Sequence, residues 1–398
     1  MKVALVHDTL NIYGGAEKVL EELHLIYPDA PIFTAIYDPE AFPAGRDWTV
    51  KTSTLQRLPL IRRAHRAAFF LYPFAMTALN LDEFDLVLSS SFNFAHHVSI
   101  GPNTRHVCYC HSPARFLWDP HGYARREDFG FALRQVHRVV LPPMRALDRS
   151  AAQGVDSWIS TSRLVQDRIR KYYRRESEII PPPIEVAAFP YAPPPRDGYL
   201  LMIMRLVGWK RPDIVIEACN RLGLRLVVAG DGRETRRLMR MAGPTIEFVG
   251  RVDGAEKARV YAGASALVLP SIEDFGITPL EAMAVGRPVI AVRAGGALDT
   301  VIPGVTGEFF ERQTAASLME TLERFDPSAY DSLRIRRHAE AFDRAHFRAR
   351  IEALVAQDYA RAQSAPLEPA FEPAAFEPTA FAPGPAPGAA IKPVVLAS

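Results

Sequence analysis

The sequence reads as an α/β protein of two domains, each an open parallel sheet flanked by helices, facing one another across a cleft. Short apolar runs of strand length alternate with helical patterns along most of the chain. At 398 residues the chain exceeds what one hydrophobic core usually serves. Proline clusters at Pro181–Pro183 and Pro193–Pro195, just before a fresh apolar run at Tyr199, set a boundary near the middle. The expected division is residues 1–185, residues 196–340, a last helix over 341–363, and a Pro- and Ala-rich tail over 364–398.

In the first domain, Val3–Val6 is a short apolar strand, His7 to Gly15 a loop, and Ala16–Ile26 a helix with Val19, Leu20, Leu23 and Ile26 at helical spacing. Further strands are expected at Ile32–Ile36, Leu86–Ser89, Val107–Cys110 and Ser157–Ser160. In the second domain the strands are Leu200–Met204, Arg225–Ala229, Thr245–Val249, Ala266–Leu269, Val289–Val292 and Glu308–Phe310. The helices between them are Pro212–Leu222, Glu234–Met241, Ala255–Ala262 and Thr278–Val285. Such sheets take ligands at the carboxyl ends of their strands. The last helix carries Phe347, Ile351, Leu354, Val355 and Tyr359 on one face and so needs a docking partner. The tail, with Phe371, Phe376 and Phe381 five residues apart, buries too little to fold alone.

Bulk properties narrow the partners. A net charge of +2 with 23% charged residues argues against a broad basic surface for nucleic acid, so a small molecule is the expected ligand. The opening apolar run is too short for a signal peptide, and no stretch of about 18 apolar residues occurs, so the expectation is a cytoplasmic chain without a membrane span. Three cysteines indicate no disulfide framework. Cys108 and Cys110 alternate onto one strand face, which favours core packing over a metal site.

Several groups then gather at carboxyl ends of strands. Glu273 closes a strand and Glu281 opens a helix, with Phe275-Gly276-Ile277 between them offering backbone amides to a phosphate or a sugar hydroxyl. Arg205 and Lys210 follow the first strand of the second domain, where two cations suit a diphosphate leaving group. Gly230-Asp231-Gly232 is either a tight turn or a close approach to ligand. Arg251 and Val252 end a strand at the same edge, where a base could stack or bond. Gly14-Gly15 leaves bare amides at the first helix without forming Gly-x-Gly-x-x-Gly, which disfavours a dinucleotide fold. His111, just past a strand, is either a sugar-binding imidazole or a buried histidine satisfied by backbone. No Asp-x-Asp occurs, so no metal or other cofactor is expected.

On these residues the chain resembles the retaining glycosyltransferases of family 4, with the two-domain GT-B fold. Shared in the same order are the Gly-Gly loop, an Arg and a Lys five apart, the Gly-Asp-Gly turn and Glu-x7-Glu. The resemblance covers about residues 1 to 360 and is strongest from Tyr199 to Phe310. It implies that Glu273 contacts the donor sugar, Glu281 the nucleotide ribose, Arg205 and Lys210 the diphosphate, and Gly15 the phosphate side. It also implies that the last helix returns to the first domain. His7-Asp8, Gly14-Gly15-Ala16-Glu17, His111-Ser112-Pro113 and Gly295-Gly-Ala-Leu298 look most like bacterial mannosyltransferases of exopolysaccharide and lipopolysaccharide assembly, many of which use GDP-mannose.

The function this implies is transfer of a hexose, mannose from GDP-mannose first, to a saccharide or lipid-linked saccharide acceptor. Glu273, His111, Arg205 and Lys210 would carry the chemistry. The alternatives are a UDP-sugar donor and a catalytically silent scaffold; an epimerase would need acid and base groups flanking the sugar. Lys51, Arg57, Arg62, Arg63 and Arg66 precede Phe69-Phe70-Leu-Tyr72-Pro-Phe74. That segment is either a solvated helix face beside core aromatics or a peripheral contact with anionic membrane.

Overall fold

The computed structural model describes residues 1–58, 69–119 and 131–364. Arg62, Arg63 and Arg66 of the basic segment and the three tail phenylalanines lie outside these residues.

The chain runs β1 (Val3–His7), α1 (Gly15–Ile26), β2 (Ile32–Thr34), β3 (Val50–Thr52), α2 (Tyr72–Thr77), β4 (Leu86–Ser91), β5 (Arg105–Cys110), α3 (Arg115–Trp118), α4 (Phe131–Ala151), β6 (Ser157–Ser160), α5 (Arg163–Tyr173) and β7 (Glu178–Ile179). It continues with β8 (Tyr199–Ile203), α6 (Pro212–Leu222), β9 (Leu226–Ala229), α7 (Thr235–Met241), β10 (Ile246–Gly250), α8 (Gly254–Ala262), β11 (Ala264–Leu269), α9 (Thr278–Ala284), β12 (Val289–Val292), α10 (Ala297–Thr300), β13 (Gly307–Phe310), α11 (Ala315–Leu322), α12 (Ser332–Glu340) and α13 (Arg344–Ser364). Sequence reading did not find β3 and β7. Both are short edge strands, too brief for a periodic signal.

Seven strands form one parallel sheet in the order β3-β2-β1-β4-β5-β6-β7, and six form the other in the order β10-β9-β8-β11-β12-β13. The strand order reverses between β1 and β4 in the first sheet and between β8 and β11 in the second. Those are the crevices where an open α/β sheet takes its ligand. Both central strands, β4 and β11, are largely buried on both faces, which explains the apolar runs Leu86–Leu88 and Ala266–Leu269 within them. β4 is unusual in that its buried end is Ser89-Ser90-Ser91. Buried hydroxyls need partners, and each of the three finds a histidine.

Helix α13 packs on the first sheet's layer, where Phe347, Ile351, Leu354 and Val355 join a cluster with Leu5, Val19 and Leu23. Arg344 and Arg348 meet Glu22 of α1 at 2.5 and 2.6 Å. Each such buried aliphatic or aromatic side chain contributes about 1.5–3 kcal/mol, so a charge at Ile351, fully buried, would lift this end of the helix. The linker is gripped too: the guanidinium of buried Arg287 donates to Ala192 O and Pro193 O at 3.1 and 2.9 Å.

Candidate active site

The two strand-order reversals face one cleft of about 370 Å³. From the first domain come Gly15 and Ala16 at the start of α1, His111 and Arg115 after β5, and Thr161 after β6. From the second come Met204 and Lys210 after β8, and Glu273 through Thr278 after β11. Of the residues singled out in the sequence, Gly15, His111, Lys210, Glu273, Phe275, Gly276 and Ile277 line this cleft.

Lys210 and Glu273 meet directly, with Nζ 2.9 Å from Oε1. Ser271 Oγ donates to the same oxygen at 2.8 Å, and the ammonium rides over the Trp209 ring. The loop that bears Glu273 is shaped by Gly295 and Gly296, which pack flat against it. A Cβ on Gly296 would stand 2.2 Å from the Phe275 backbone, so no larger residue fits without moving the loop. Gly15 faces Ile277 across the cleft at van der Waals distance.

Other candidates lie off the cleft. Arg205 is exposed immediately after Met204 and makes no ion pair among the described residues. Gly230 sits at φ +127, and a Cβ there would meet Met204 O at 1.9 Å. The glycine turn thus presses on the 204–206 backbone. Asp231 is exposed, and bonds from Thr235 and the Gly232 amide hold its carboxyl below the usual range. Gly14 precedes α1, and Arg251 and Val252 follow β10; none of the three lines the cleft. Glu281 is buried rather than open to it. Lys257 Nζ lies 2.6 Å from Oε2, and Tyr261 donates to Oε2 at 2.9 Å. Burial and then this carboxylate push the Tyr261 phenol well above its ordinary value.

Sequence reasoning missed a clasp between the domains. Asp274, beside Glu273, pairs with Arg115 and with Arg168 at 2.6 Å, while Ser162 Oγ donates to its carbonyl at 2.5 Å. Burial alone would raise the Asp274 carboxyl, but the two guanidiniums outweigh it and hold it below the usual range. Arg163 and Asp299 make a second contact between the domains at 3.3 Å. Both Arg115 and Asp274 fall inside motifs noted for other residues, so only their charge could have flagged them.

The histidines of the first domain are organised by β4. His111 Nε2 lies 2.8 Å from Ser90 Oγ, and burial followed by the neighbouring His7 pushes this imidazole down to about 3. It is therefore neutral at ordinary pH. His106, on Ser89, is likewise held down to about 3 by burial. Asp8 anchors the following loop by accepting from the amides of Phe92, Asn93, Phe94 and Ala95 at 2.5–2.9 Å. Cys108 and Cys110 are buried in a cluster with Trp158 and Val165.

Among the described residues one group has the spacing to hold a cation: His96, His97 and Asp148. Its carboxylate is already committed, with His97 Nε2 at 2.9 Å, His96 Nε2 at 3.1 Å and the Trp118 indole donating at 2.6 Å. Burial would raise Asp148, yet the bonds from the two histidines outweigh it and hold it well below the carboxylate range. This is a buried network, and none of its three residues lines the cleft. No described helix is long and apolar enough to cross a membrane.

Residues 184–334 match the profile of the family described as "Glycosyl transferases group 1". A glycogen synthase of Mycobacterium tuberculosis is 32% identical over 219 residues, covering 50% of this chain and 51% of the relative. A GDP-mannose-dependent alpha-mannosyltransferase of Corynebacterium glutamicum is 36% identical over 104 residues, 26% of this chain and 25% of the relative. The chain spans about half the length of the first of these and a quarter of the second. Among solved structures, sucrose-phosphate synthase from Thermosynechococcus elongatus superposes with a TM-score of 0.68 at 19% identity, over 91% of this chain and 100% of that one. Anabaena HepE in complex with UDP gives 0.66 at 19% identity, over 90% and 100%. The fold is therefore the GT-B architecture.

Proposed function

We propose that this chain is a retaining, metal-independent glycosyltransferase that moves a hexose, mannose from GDP-mannose, onto a growing saccharide carried on a lipid. The observation that carries the reading is the meeting of Lys210 and Glu273 at the second sheet's reversal, opposite the bare amides of Gly15 and Ala16 at the first. Cation, carboxylate and helix amides around one cleft match a ligand that has a diphosphate at one end and hydroxyls at the other. The likeness of part of the chain to a GDP-mannose-dependent alpha-mannosyltransferase supports the donor.

In this reading Lys210 leaves Glu273 to hold the diphosphate, with Arg205 swinging in from the rim. Both stabilise the charge that grows as the anomeric carbon–oxygen bond breaks. Glu273 and neutral His111 hold the sugar hydroxyls. The acceptor oxygen bonds to the anomeric carbon on the face the phosphate leaves, and its proton passes to the departing phosphate oxygen. The buried Glu281 takes the ribose only if Lys257 and Tyr261 share it.

A lipid-bound acceptor fits the surface beside the first domain. Phe74 and Phe70 are 64% and 46% exposed, which suits peripheral contact with a membrane face. Cosedimentation with liposomes should rise with anionic lipid content, and binding indifferent to it would remove this part of the proposal.

The test of the donor is a thermal-shift panel of GDP, UDP, ADP, GDP-mannose and UDP-glucose. A ligand at 100 times its Kd stabilises the folded state by about 2.7 kcal/mol. A selective shift by GDP and GDP-mannose is expected. A shift by UDP compounds alone would replace the donor, and no shift by any would leave a silent scaffold. Activity lost to a chelator and restored by a divalent ion would overturn metal independence.

A further inference from the structure

A line of hydrogen-bonding groups runs from the surface helix of the first domain to the cleft. Glu17 Oε1 of α1 lies 3.4 Å from His7 Nε2, at the long limit for such a contact. On the other side of the ring, His7 Nδ1 is 3.1 Å from Ser90 Oγ, and Ser90 Oγ is 2.8 Å from His111 Nε2. His7 and Ser90 are fully buried and Glu17 nearly so. His111 Nδ1 has no protein partner among the described residues, and the residue lines the cleft.

Such a line has a direction, because a carboxylate only accepts. Glu17 therefore takes the proton of His7 Nε2. At a pH above the ordinary imidazole range a histidine ring carries one proton, so with Nε2 holding it Nδ1 offers a lone pair, which accepts from the Ser90 hydroxyl. With its single proton spent, Ser90 Oγ accepts from His111 Nε2. A neutral imidazole carries one N–H, so His111 is left with a lone pair at Nδ1.

We infer that Glu17, His7 and Ser90 are positioning residues that fix the tautomer of His111, so that it meets the ligand in the cleft as a hydrogen-bond acceptor at Nδ1. The matching ligand group is a hydroxyl that donates, as a hexose provides; this step rests on the glycosyltransferase reading. The tautomer itself does not. No residue of the line transfers a proton in the reaction. Its effect is orientation: the same ring with Nδ1 protonated would present a donor where a donor is expected from the sugar.

The experiment is long-range proton–nitrogen NMR of the full chain labelled at histidine nitrogens, at about pH 8, above the ordinary imidazole range. His111 is assigned by the signals lost in His111→Asn. In the wild type, His111 Nε2 should give the protonated type of signal and Nδ1 the unprotonated type. The reverse pattern, or an even mixture, overturns the inference. Glu17→Gln substitutes an amide able to donate, so the line can run either way and His111 should become a mixture. Ser90→Ala cuts it and should do the same. An unchanged His111 pattern in both variants overturns the roles of Glu17 and Ser90 even if the wild-type tautomer holds.

In a transfer assay, Ser90→Ala should lower kcat about tenfold while donor KM moves less than about threefold, as expected when a group is misaimed rather than removed. A loss of folding stability alone would leave both constants per folded molecule unchanged. If the wild type transfers no sugar while the tautomer is as stated, the functional reading fails and the positioning line stands.

Discussion

The two sides of the cleft present different kinds of group by different means. On the first-domain side, His111 is neutral and held through buried Ser90 of β4, with His7 and Glu17 behind it. On the second-domain side, Lys210 and Glu273 are charged, part-exposed and held by each other. A neutral donor–acceptor set can select and orient hydroxyls without competing for the cation, whereas the charged set can respond to charge that develops in a reaction. The difference teaches that, in the proposed mechanism, the first domain only positions, while the second both positions through Glu273 and stabilises charge through Lys210.

The largest effect expected from breaking that division is on turnover. Lys210→Ala should lower kcat on the order of 100-fold or more, and Glu273→Gln should act in the same direction. His111→Ala, on the neutral side, should cost about tenfold. Steady-state kinetics with GDP-mannose compare the three, and equal losses on both sides would erase the distinction.

Next comes the stability of the charged side. Lys257→Met leaves Glu281 buried without its cation, and should cost about 2 kcal/mol, read as a fall in Tm or denaturant midpoint. Adding Glu281→Gln should restore most of that loss, since the unpaired charge goes with it. A double variant no more stable than the single would mean that packing, not charge, is what Lys257 supplies.

The smallest effect belongs to the clasp that joins the two sides. Asp274→Asn should raise donor KM about threefold with little change in kcat, as expected for a part-screened contact that only biases closure. Its pH dependence follows from the sign of the shift. The folded carboxyl lies below its ordinary value, so its contribution is complete above about pH 4 and disappears as pH falls through the folded value. The stability difference between wild type and Asp274→Asn should therefore stay constant from about pH 7 to 5 and shrink only in stronger acid. A difference that decays between pH 7 and 5 would assign the clasp to another group.

Much of the second domain was legible because most of its strands are apolar runs of four to six residues separated by helical segments. Lys210 and Glu273 stood out because each follows a central strand at the edge where ligands bind. The first domain was harder to read. Its short strands β3 and β7 carry no usable period, and Ser90-Ser91 looks like a loop after the strand expected to end at Ser89, until the fold sets His111 and His96 beside their hydroxyls. Glu281 illustrates the opposite failure. Its place in a motif pointed to ligand, and only the fold shows Lys257 and Tyr261, 24 and 20 positions away, closing on its carboxylate.

The sequence by itself determined the two parallel sheets, the break between them, and the local groups that end at strand carboxyl edges, because those depend on periodicity and on residues close along the chain. The tertiary structure alone decided which of these groups meet. Ser90 joins His7 to His111 across 83 and 21 positions, and Asp274 joins Arg115 across 159. Contacts over such separations are fixed by strand order and domain packing, which no local pattern encodes.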